Sequence, residues 1–173
     1  ESGVRFNPNL YTDGKVCLSI LGTWSGPGWT TCLNLNTVLL SIQSLLNENP
    51  LQNEPGFDND TSSKALDYAK IVSYFNIKTA TLKMLDDPPQ GFEVFKPIME
   101  NHFCKNIDFY RKYLENKIQY DKTTIVSRIY SMSTICHINS LKEKLEQKFN
   151  KLKCKEEQEN TSNNLEQEQE SES

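Results

Sequence analysis

The chain has 173 residues, of which 36% are hydrophobic and 24% charged, and a formal net charge of −4 at pH 7. This length suits one domain with a proper core and an appendage. The slightly acidic balance, without a basic surface studded with aromatic residues, argues against a nucleic-acid-binding protein. No apolar run reaches the ~18 residues that a membrane span needs, and no signal peptide is visible, so neither membrane insertion nor secretion is expected.

The cysteine pattern argues against a disulfide framework. Five cysteines are scattered along the chain without a C-x-x-C pair: Cys17, Cys32, Cys104, Cys136 and Cys154. An odd, scattered set favours a reducing compartment, and we expect a cytoplasmic protein, with the nucleus as a second location. The two histidines, His102 and His137, lie at no ligand spacing from a cysteine pair. We therefore expect no structural zinc site and no cofactor.

Two turns are predicted near the start of the chain. Residues 4–6 indicate the end of a strand, and Asn-Pro-Asn at 7–9 predicts a turn, because proline restricts φ and asparagine tolerates tight geometry. Asp-Gly at 13–14 is typical of a hairpin. Aliphatic residues at 16, 18 and 20 then alternate with Cys17 and Ser19. That period of two places Cys17 on the face opposite the expected core.

A buried helix is predicted next. Residues 24–29 form a loop that contains two glycines and a proline. Leucine, valine and isoleucine then recur at helical spacing over 35–46, with Asn34 or Asn36 as the cap, which indicates a mostly buried helix. Asn49-Pro50 ends this helix.

The remainder of the chain predicts three more helices. After a loop over 51–63, a helix fits residues 64–85 and stops at Asp-Asp-Pro-Pro, and another follows Pro97 as far as about residue 114. Residues 118–138 are ambiguous, because β-branched residues and serines weaken a helical interpretation. An amphipathic helix over 141–152 is followed by a polar, acidic tail that we expect to be disordered.

Four motifs stand in a fixed order in the first third of the chain. They are NPNLY at 7–11, GKVCLSILGTW at 14–24, GPGW at 26–29 and NEPGF at 53–57. In order and spacing they resemble the catalytic core of ubiquitin-conjugating enzymes, and most of all its large, Z-type members. That family has a His-Pro-Asn turn, a catalytic cysteine a short hairpin later, a tryptophan loop, a buried crossing helix and an Asn-Pro exit.

The resemblance implies an α+β, UBC-like fold with a remnant of an antiparallel sheet, a crossing helix and C-terminal helices. We expect a conjugating core over 1–115, a helical extension over 116–154 and a disordered acidic tail over 155–173. The helix and strands that precede the turn in the family do not occur in these residues. Because that helix carries most of the contact surface for the activating enzyme, we expect a core truncated at its N-terminus that charges poorly.

Two departures from the family pattern matter for its partners. Asn7 stands where the family usually has histidine, as in its large members. Thr30-Thr31-Cys32 replaces the Ser-Pro-Ala that commonly follows the loop tryptophan and contacts the ligase in relatives. We therefore expect altered ligase preferences.

The resemblance implies that Cys17 accepts ubiquitin, or a ubiquitin-like modifier, from an activating enzyme as a thioester. Cys17 would then pass it to a lysine amine or a ligase. Asn9 would either donate to the oxyanion of the tetrahedral intermediate, worth roughly 3 kcal/mol, or pin the loop; both roles stay open. Asp67 is a candidate for activating the incoming lysine, with Asp58 and Asp60 as alternatives.

Two other functions compete with conjugation. The first is a catalytically inactive UBC-like protein that only binds or scaffolds partners, against which the presence of Cys17 argues. The second is a cysteine hydrolase, which would need a histidine base near the thiol. Both histidines lie far along the chain without a Cys-His signature, which argues against hydrolysis.

Overall fold

The computed structural model of the chain describes residues 3–153, which divide into two compact units. The first unit comprises the chain up to Phe75 together with Thr124–Ile135, and the second comprises Asn76–Thr123 with the chain from Cys136 onward. The tail expected over 155–173 lies outside the described residues. Within the described part, no helix combines the length and the apolar character that crossing a bilayer requires.

The first unit begins with turns instead of the strand expected at 4–6. The backbone N–H of Leu10 donates to the carbonyl of Asn7 at 3.0 Å, and that of Tyr11 donates to Lys15 at 2.9 Å. Isolated bridges join Leu10 to Asn7 and to Val16. Within residues 4–6, the N–H of Arg5 donates to the sulfur of Met132 and the carbonyl of Arg5 accepts from the Tyr68 hydroxyl, so these groups form no ladder and the strand prediction is wrong.

Helix α1, Leu35–Leu45, begins as predicted at Asn34. The Asn34 side chain accepts from the N–H of Thr37, whose side chain accepts from the N–H of Asn34, so the pair forms a capping box. The prediction that this helix is mostly buried is wrong, because none of its residues is buried and Leu35 and Leu40 are 70% and 64% exposed. Val38, Ile42 and Leu45 are half-buried, whereas the described residues leave Leu35 and Leu40 largely uncovered.

Helix α2, Ser63–Phe75, and a two-stranded sheet form the centre of the first unit. Strands β1, Thr124–Ser127, and β2, Met132–Ile135, pair antiparallel in the ambiguous region of the sequence. Tyr68 and Ile71 of α2 are fully buried, and α2 packs on β1. The helices and this small sheet confirm the α+β class.

The second unit begins with a π-helical segment, Asn76–Lys83, and a short helix α3, Met84–Asp86. Together with α2 they account for the helix predicted over 64–85. The helix predicted after Pro97 begins at Lys96 and is interrupted at Asn106, which gives α4, Lys96–Lys105, and α5, Ile107–Glu115. Residues 138–153 are helical, as predicted for the last amphipathic stretch, and are called α6.

Charged pairs join α5 and α6 on the surface of the second unit. The Arg111 guanidinium donates through Nε and Nη2 to the two carboxylate oxygens of Glu146, both at 2.7 Å, and a second pair joins Lys142 to Glu115 at 2.5 Å. Beneath these pairs, Leu114 and Leu145 are 1% exposed. The two helices therefore bury apolar faces and pair their charges outside them.

Candidate active site

The Asn-Pro-Asn turn is held by the side chain of its first residue. Asn7 is fully buried, its Oδ1 accepts from the N–H of Asn9 at 2.9 Å, and its Nδ2 donates to the carbonyl of Leu45 at 2.8 Å. The Leu45 carbonyl is at the end of α1, where helical carbonyls lack partners within the helix. Asn7 therefore fixes the turn against the end of α1.

Asn9 and Cys17 are bonded to each other twice. The N–H of Cys17 donates to the carbonyl of Asn9 at 2.8 Å, and the Asn9 Nδ2 donates to the carbonyl of Cys17 at 2.8 Å. The Asn9 side chain is buried, and its Oδ1 has no hydrogen-bond partner among the described residues. The structure thus brings together two of the predicted site residues and engages the Asn9 amide with the backbone of the cysteine.

Cys17 does not lie on an open face, as the alternation of its neighbours had predicted. The residue is 2% exposed, and Leu18 beside it is 7% exposed. Residues Ser19–Leu21 form a 3₁₀ turn, so the chain does not continue as a strand and consecutive side chains are not divided between two faces. The expectation of an exposed sulfur is therefore wrong for this conformation.

Thr23 holds the segment around Cys17, and sequence reasoning missed it. Its Oγ1 donates to the carbonyl of Val16 at 2.7 Å and accepts from the N–H of Leu18 at 3.0 Å, so it bonds the residues on either side of Cys17. Gly22 precedes it at φ 68°, a conformation that costs glycine little. In the sequence, the Gly-Thr pair that follows a short aliphatic run is the signal that could have indicated this turn.

Two of the three acidic candidates are bound to other partners. Asp67 on α2 pairs with Lys70 at 2.9 Å. Asn9 and Cys17 bond to each other and not to Asp67. Asp60 accepts from the backbone N–H of Ser62 at 2.7 Å and from its hydroxyl at 3.0 Å. These bonds lower the pKa of the Asp60 carboxyl, which weakens it as a base. Asp58 is exposed.

An arginine lies between two tyrosine rings next to the turn. The Arg5 guanidinium carbon is 3.7 Å from the ring centroid of Tyr11 and 4.1 Å from that of Tyr130. Its Nη2 donates to the carbonyl of Pro8, the middle residue of the Asn-Pro-Asn turn. A guanidinium suits this place, because its plane stacks on aromatic faces while its edge donates hydrogen bonds.

Two further residues complete this cluster. The Tyr130 hydroxyl donates to Glu54 Oε2 at 2.6 Å, and the Tyr68 hydroxyl donates to the carbonyl of Arg5 at 2.8 Å. The rings of Tyr68 and Tyr130 meet edge to face at 5.6 Å. Burial raises the pKa of both phenols, so both remain neutral donors at physiological pH. We call Arg5, Tyr11, Glu54, Tyr68 and Tyr130 the arginine cluster.

Comparison with known proteins identifies the segment that carries these features. The family description "Ubiquitin-conjugating enzyme" matches residues 3–74, which include the Asn-Pro-Asn turn, Cys17 and the four motifs. This segment is similar to ubiquitin-conjugating enzymes. Among residues 3–153, no group of three His, Cys, Asp or Glu side chains is arranged to hold a metal ion.

Several members of the family are similar to this chain over more than half of its length. Ubiquitin-conjugating enzyme E2 Z from Xenopus tropicalis is 46% identical over 108 residues, which cover 62% of this chain and 34% of that protein. Ubiquitin-conjugating enzyme E2 Z from Homo sapiens is 39% identical over 123 residues, 70% of this chain and 35% of that protein. Probable ubiquitin-conjugating enzyme E2 26 from Arabidopsis thaliana is 42% identical over 116 residues, 60% of this chain and 20% of that protein.

These relatives confirm the likeness to ubiquitin-conjugating enzyme E2 Z. The chain spans about a third of the length of the E2 Z proteins that it matches. The matched family segment contains Asn9, Cys17 and Asp67, whereas Tyr130 lies outside it. The arginine cluster therefore joins the family's segment to a residue from beyond it.

Proposed function

We propose that this protein is a transferase that carries ubiquitin, or a ubiquitin-like modifier, as a thioester on Cys17. The observation that carries the proposal is the position of Cys17 within the family segment, with both of its backbone polar groups bonded to Asn9. An activating enzyme, the modifier and a ligase are the partners that this function requires.

The chemistry needs little beyond a placed thiol. The Cys17 thiolate attacks the carbonyl carbon of the donor thioester, a new C–S bond forms, and the donor's C–S bond breaks to release the donor thiolate. In the second step a lysine amine attacks the Cys17 thioester, a C–N bond forms, and the Cys17 thiolate leaves as the amine loses its proton. Because a thioester is already activated, placement and stabilisation of the oxyanion are the protein's main contribution.

Burial of Cys17 sets a condition on this function. At 2% exposure the sulfur cannot reach a protein-sized donor, so the segment that covers it must open before charging. The segment is short and is held by a few hydrogen bonds from Asn9 and Thr23. Local openings of such segments are less costly than global unfolding.

The same burial favours the second candidate function, a UBC-like protein that binds or scaffolds partners without forming a thioester. A cysteine that never opens behaves as a small apolar residue of the core. The two functions differ in a single measurable property, the formation of a covalent adduct at Cys17.

The test supplies the modifier from two donors. The 173-residue chain is incubated with activating enzyme, ubiquitin and ATP, and separately with a ubiquitin C-terminal thioester of a small thiol, which requires no activating enzyme. Adducts are resolved on gels with and without reducing agent. We expect an adduct that is sensitive to thiols, that persists as a thiol-resistant ester in Cys17→Ser, and that is absent in Cys17→Ala.

Cys32→Ala is the matched control, because Cys32 is an exposed cysteine of the same segment. This variant should form the adduct at the rate of the unmodified protein. An adduct that survives Cys17→Ala and disappears in Cys32→Ala would refute the assignment. No adduct from either donor would refute the transferase and support the binding protein.

A further inference from the structure

The tip of the β1–β2 hairpin has an unusual backbone. Tyr130 and the next residue, Ser131, have φ angles of 55° and 50°, in the left-handed region that bulky side chains rarely adopt. Such conformations persist only where the surroundings fix them, and they concentrate at functional sites. The contacts of the Tyr130 side chain therefore indicate what this hairpin does.

Those contacts lead to the Asn-Pro-Asn turn. The Tyr130 ring covers one face of the Arg5 guanidinium at 4.1 Å, and Arg5 Nη2 donates to the carbonyl of Pro8. Pro8 directly precedes Asn9, whose amide bonds to the Cys17 carbonyl. A continuous series of contacts thus runs from the hairpin tip to the backbone of the predicted nucleophile.

Arg5 depends on its aromatic neighbours. Its Nε is buried and has no hydrogen-bond partner among the described residues. Arg5 is half-buried, and leaving one of its N–H groups buried without a partner is costly; contact with the rings of Tyr11 and Tyr130 offsets part of that cost. Removal of one ring should therefore release the guanidinium from the Pro8 carbonyl.

We propose that Tyr130 is a positioning residue for the reaction at Cys17: its ring holds Arg5, and Arg5 holds the turn that carries Asn9. The inference rests on the function proposed above and assigns part of that function to a residue outside the matched segment 3–74. Small displacements of a positioning group cost as much as about a hundredfold in rate, so the effect is measurable.

The Tyr130 ring and hydroxyl make separate contacts, which allows a sharp comparison. Tyr130→Phe keeps the ring on Arg5 and removes only the hydrogen bond to Glu54, whereas Tyr130→Leu removes the ring as well. A positioning role through Arg5 requires the phenylalanine variant to behave as the unmodified protein does. A role of the hydroxyl in holding Glu54 requires both variants to fail equally.

The first measurement does not depend on ubiquitin. The rate at which a small thiol reagent alkylates Cys17 is measured in the full chain and divided by the alkylation rate of Cys136. Cys136 is 1% exposed and directly follows β2, so unfolding of the hairpin raises both rates. We expect this ratio to rise about fivefold in Tyr130→Leu, the effect of losing one cation–π contact, and to stay unchanged in Tyr130→Phe.

Tyr113→Leu is the matched control for this measurement. Tyr113 is a half-buried tyrosine of the second unit, whose ring lies 6.2 Å from that of Phe109. It should leave the Cys17 to Cys136 ratio unchanged. If Tyr130→Leu melts the hairpin, Arg5→Lys decides, because lysine keeps the charge and loses the planar stacking, and it should raise the ratio as strongly. An unchanged ratio in Arg5→Lys and Tyr130→Leu would overturn the inference.

The second measurement tests the transfer step. Charged protein is chased with increasing free lysine, and loss of the thioester is followed with time. We expect the rate at saturating lysine to fall about tenfold in Tyr130→Leu and to remain within about twofold in Tyr130→Phe, while the half-saturating lysine concentration is unchanged in both. Discharge of Tyr130→Leu at the rate of the unmodified protein, or of Tyr130→Phe as slowly as Tyr130→Leu, would overturn the inference.

Failure of the proposed function gives a different result. In that case the unmodified protein forms no thioester with either donor, while the alkylation ratio still reports whether Tyr130 fixes the turn. Failure of the inference alone leaves charging of the unmodified protein intact and makes Tyr130→Leu indistinguishable from Tyr113→Leu in both measurements.

Discussion

At the scale of single residues, Asn9 has two predicted roles, and its contacts in the structure bear on one of them. An asparagine after proline could donate to a developing oxyanion or hold its own loop. In this conformation its Nδ2 donates to the carbonyl of Cys17, which is the geometry of a residue that holds the loop. An oxyanion role would use the second amide hydrogen, or would begin after the Cys17 segment opens.

Asn9→Ala should lower the free energy of unfolding by about 1–3 kcal/mol, because the carbonyl of Cys17 then loses a buried donor. The unpartnered Oδ1 of Asn9 is removed by the same change, which keeps the loss toward the lower end of that range. Urea denaturation measures the effect. Asn101→Ala, at an exposed position on α4, should change the free energy by less than about 0.5 kcal/mol. Equal effects of the two variants would contradict the loop-holding role.

The family resemblance predicted that Asn9 acts close to Cys17, but not that its amide bonds to the Cys17 carbonyl. The contributions of Thr23 and Tyr130 were not predicted. Thr23 acts through a hydroxyl that bonds two backbone groups of a segment that the alternation predicted to be extended. Tyr130 lies 125 positions beyond Arg5, in a stretch where the local pattern fits neither helix nor strand clearly. The contacts of Thr23 are local, but they belong to a segment whose conformation was predicted wrongly, whereas only tertiary contacts relate Tyr130 to the turn.

At the scale of elements, local signals predicted where helices begin better than what covers them. Asn34 caps α1 through side-chain contacts within four residues, so a short sequence window contains the information. Burial of the same helix depends on what packs against it, which the leucine spacing does not specify. The hairpin over 124–135 was missed for a related reason: strand pairing depends on a partner as well as on local preference.

The contact between α5 and α6 predicts a specific pH dependence. Hydrogen bonds from Arg111 lower the pKa of the Glu146 carboxyl in the folded protein. A carboxyl with a lowered folded pKa stabilises the fold above its ordinary pKa of about 4.3 and loses this contribution as the pH falls through the folded value. The contribution is modest, since exposed ion pairs are worth about 0.2–1 kcal/mol.

Glu146→Gln should therefore lower the thermal midpoint at pH 7, and its difference from the unmodified protein should shrink as the pH falls below about 4.3. Midpoints measured by circular dichroism between pH 3 and pH 7 test this expectation. Glu143→Gln is the control, an exposed glutamate on the same helix, and should show no such convergence. A difference for Glu146→Gln that is constant across the range would contradict the assignment.

At the scale of the whole molecule, apolar residues are divided unevenly between interior and surface. Leu51 is fully buried, whereas Leu40 is 64% exposed and Trp29 is 53% exposed. Apolar surface is common on folded proteins, and α1 carries three exposed leucines, Leu35, Leu39 and Leu40. Equal hydrophobicity along the sequence therefore does not mean equal contribution to stability.

Leu51→Ala should cost about 2–5 kcal/mol of unfolding free energy, because it leaves a cavity in packed surroundings. Leu40→Ala, the same chemical change on α1, should cost less than about 0.5 kcal/mol, because its side chain gives up little buried contact. Urea denaturation of both variants provides the comparison. A loss above about 2 kcal/mol for Leu40→Ala would mean that α1 is covered in solution.

The first unit is assembled from two separate stretches of chain, since Thr124–Ile135 returns to it after the whole of Asn76–Thr123. A ribosome makes these stretches in order, so the Asn-Pro-Asn turn and its cysteine leave the exit tunnel well before Tyr130 does. During that interval Arg5 lacks one of its two aromatic faces. For the seconds that this synthesis takes, the turn next to Cys17 lacks the contact between Arg5 and Tyr130. The region reaches its final structure only after the hairpin has been synthesised.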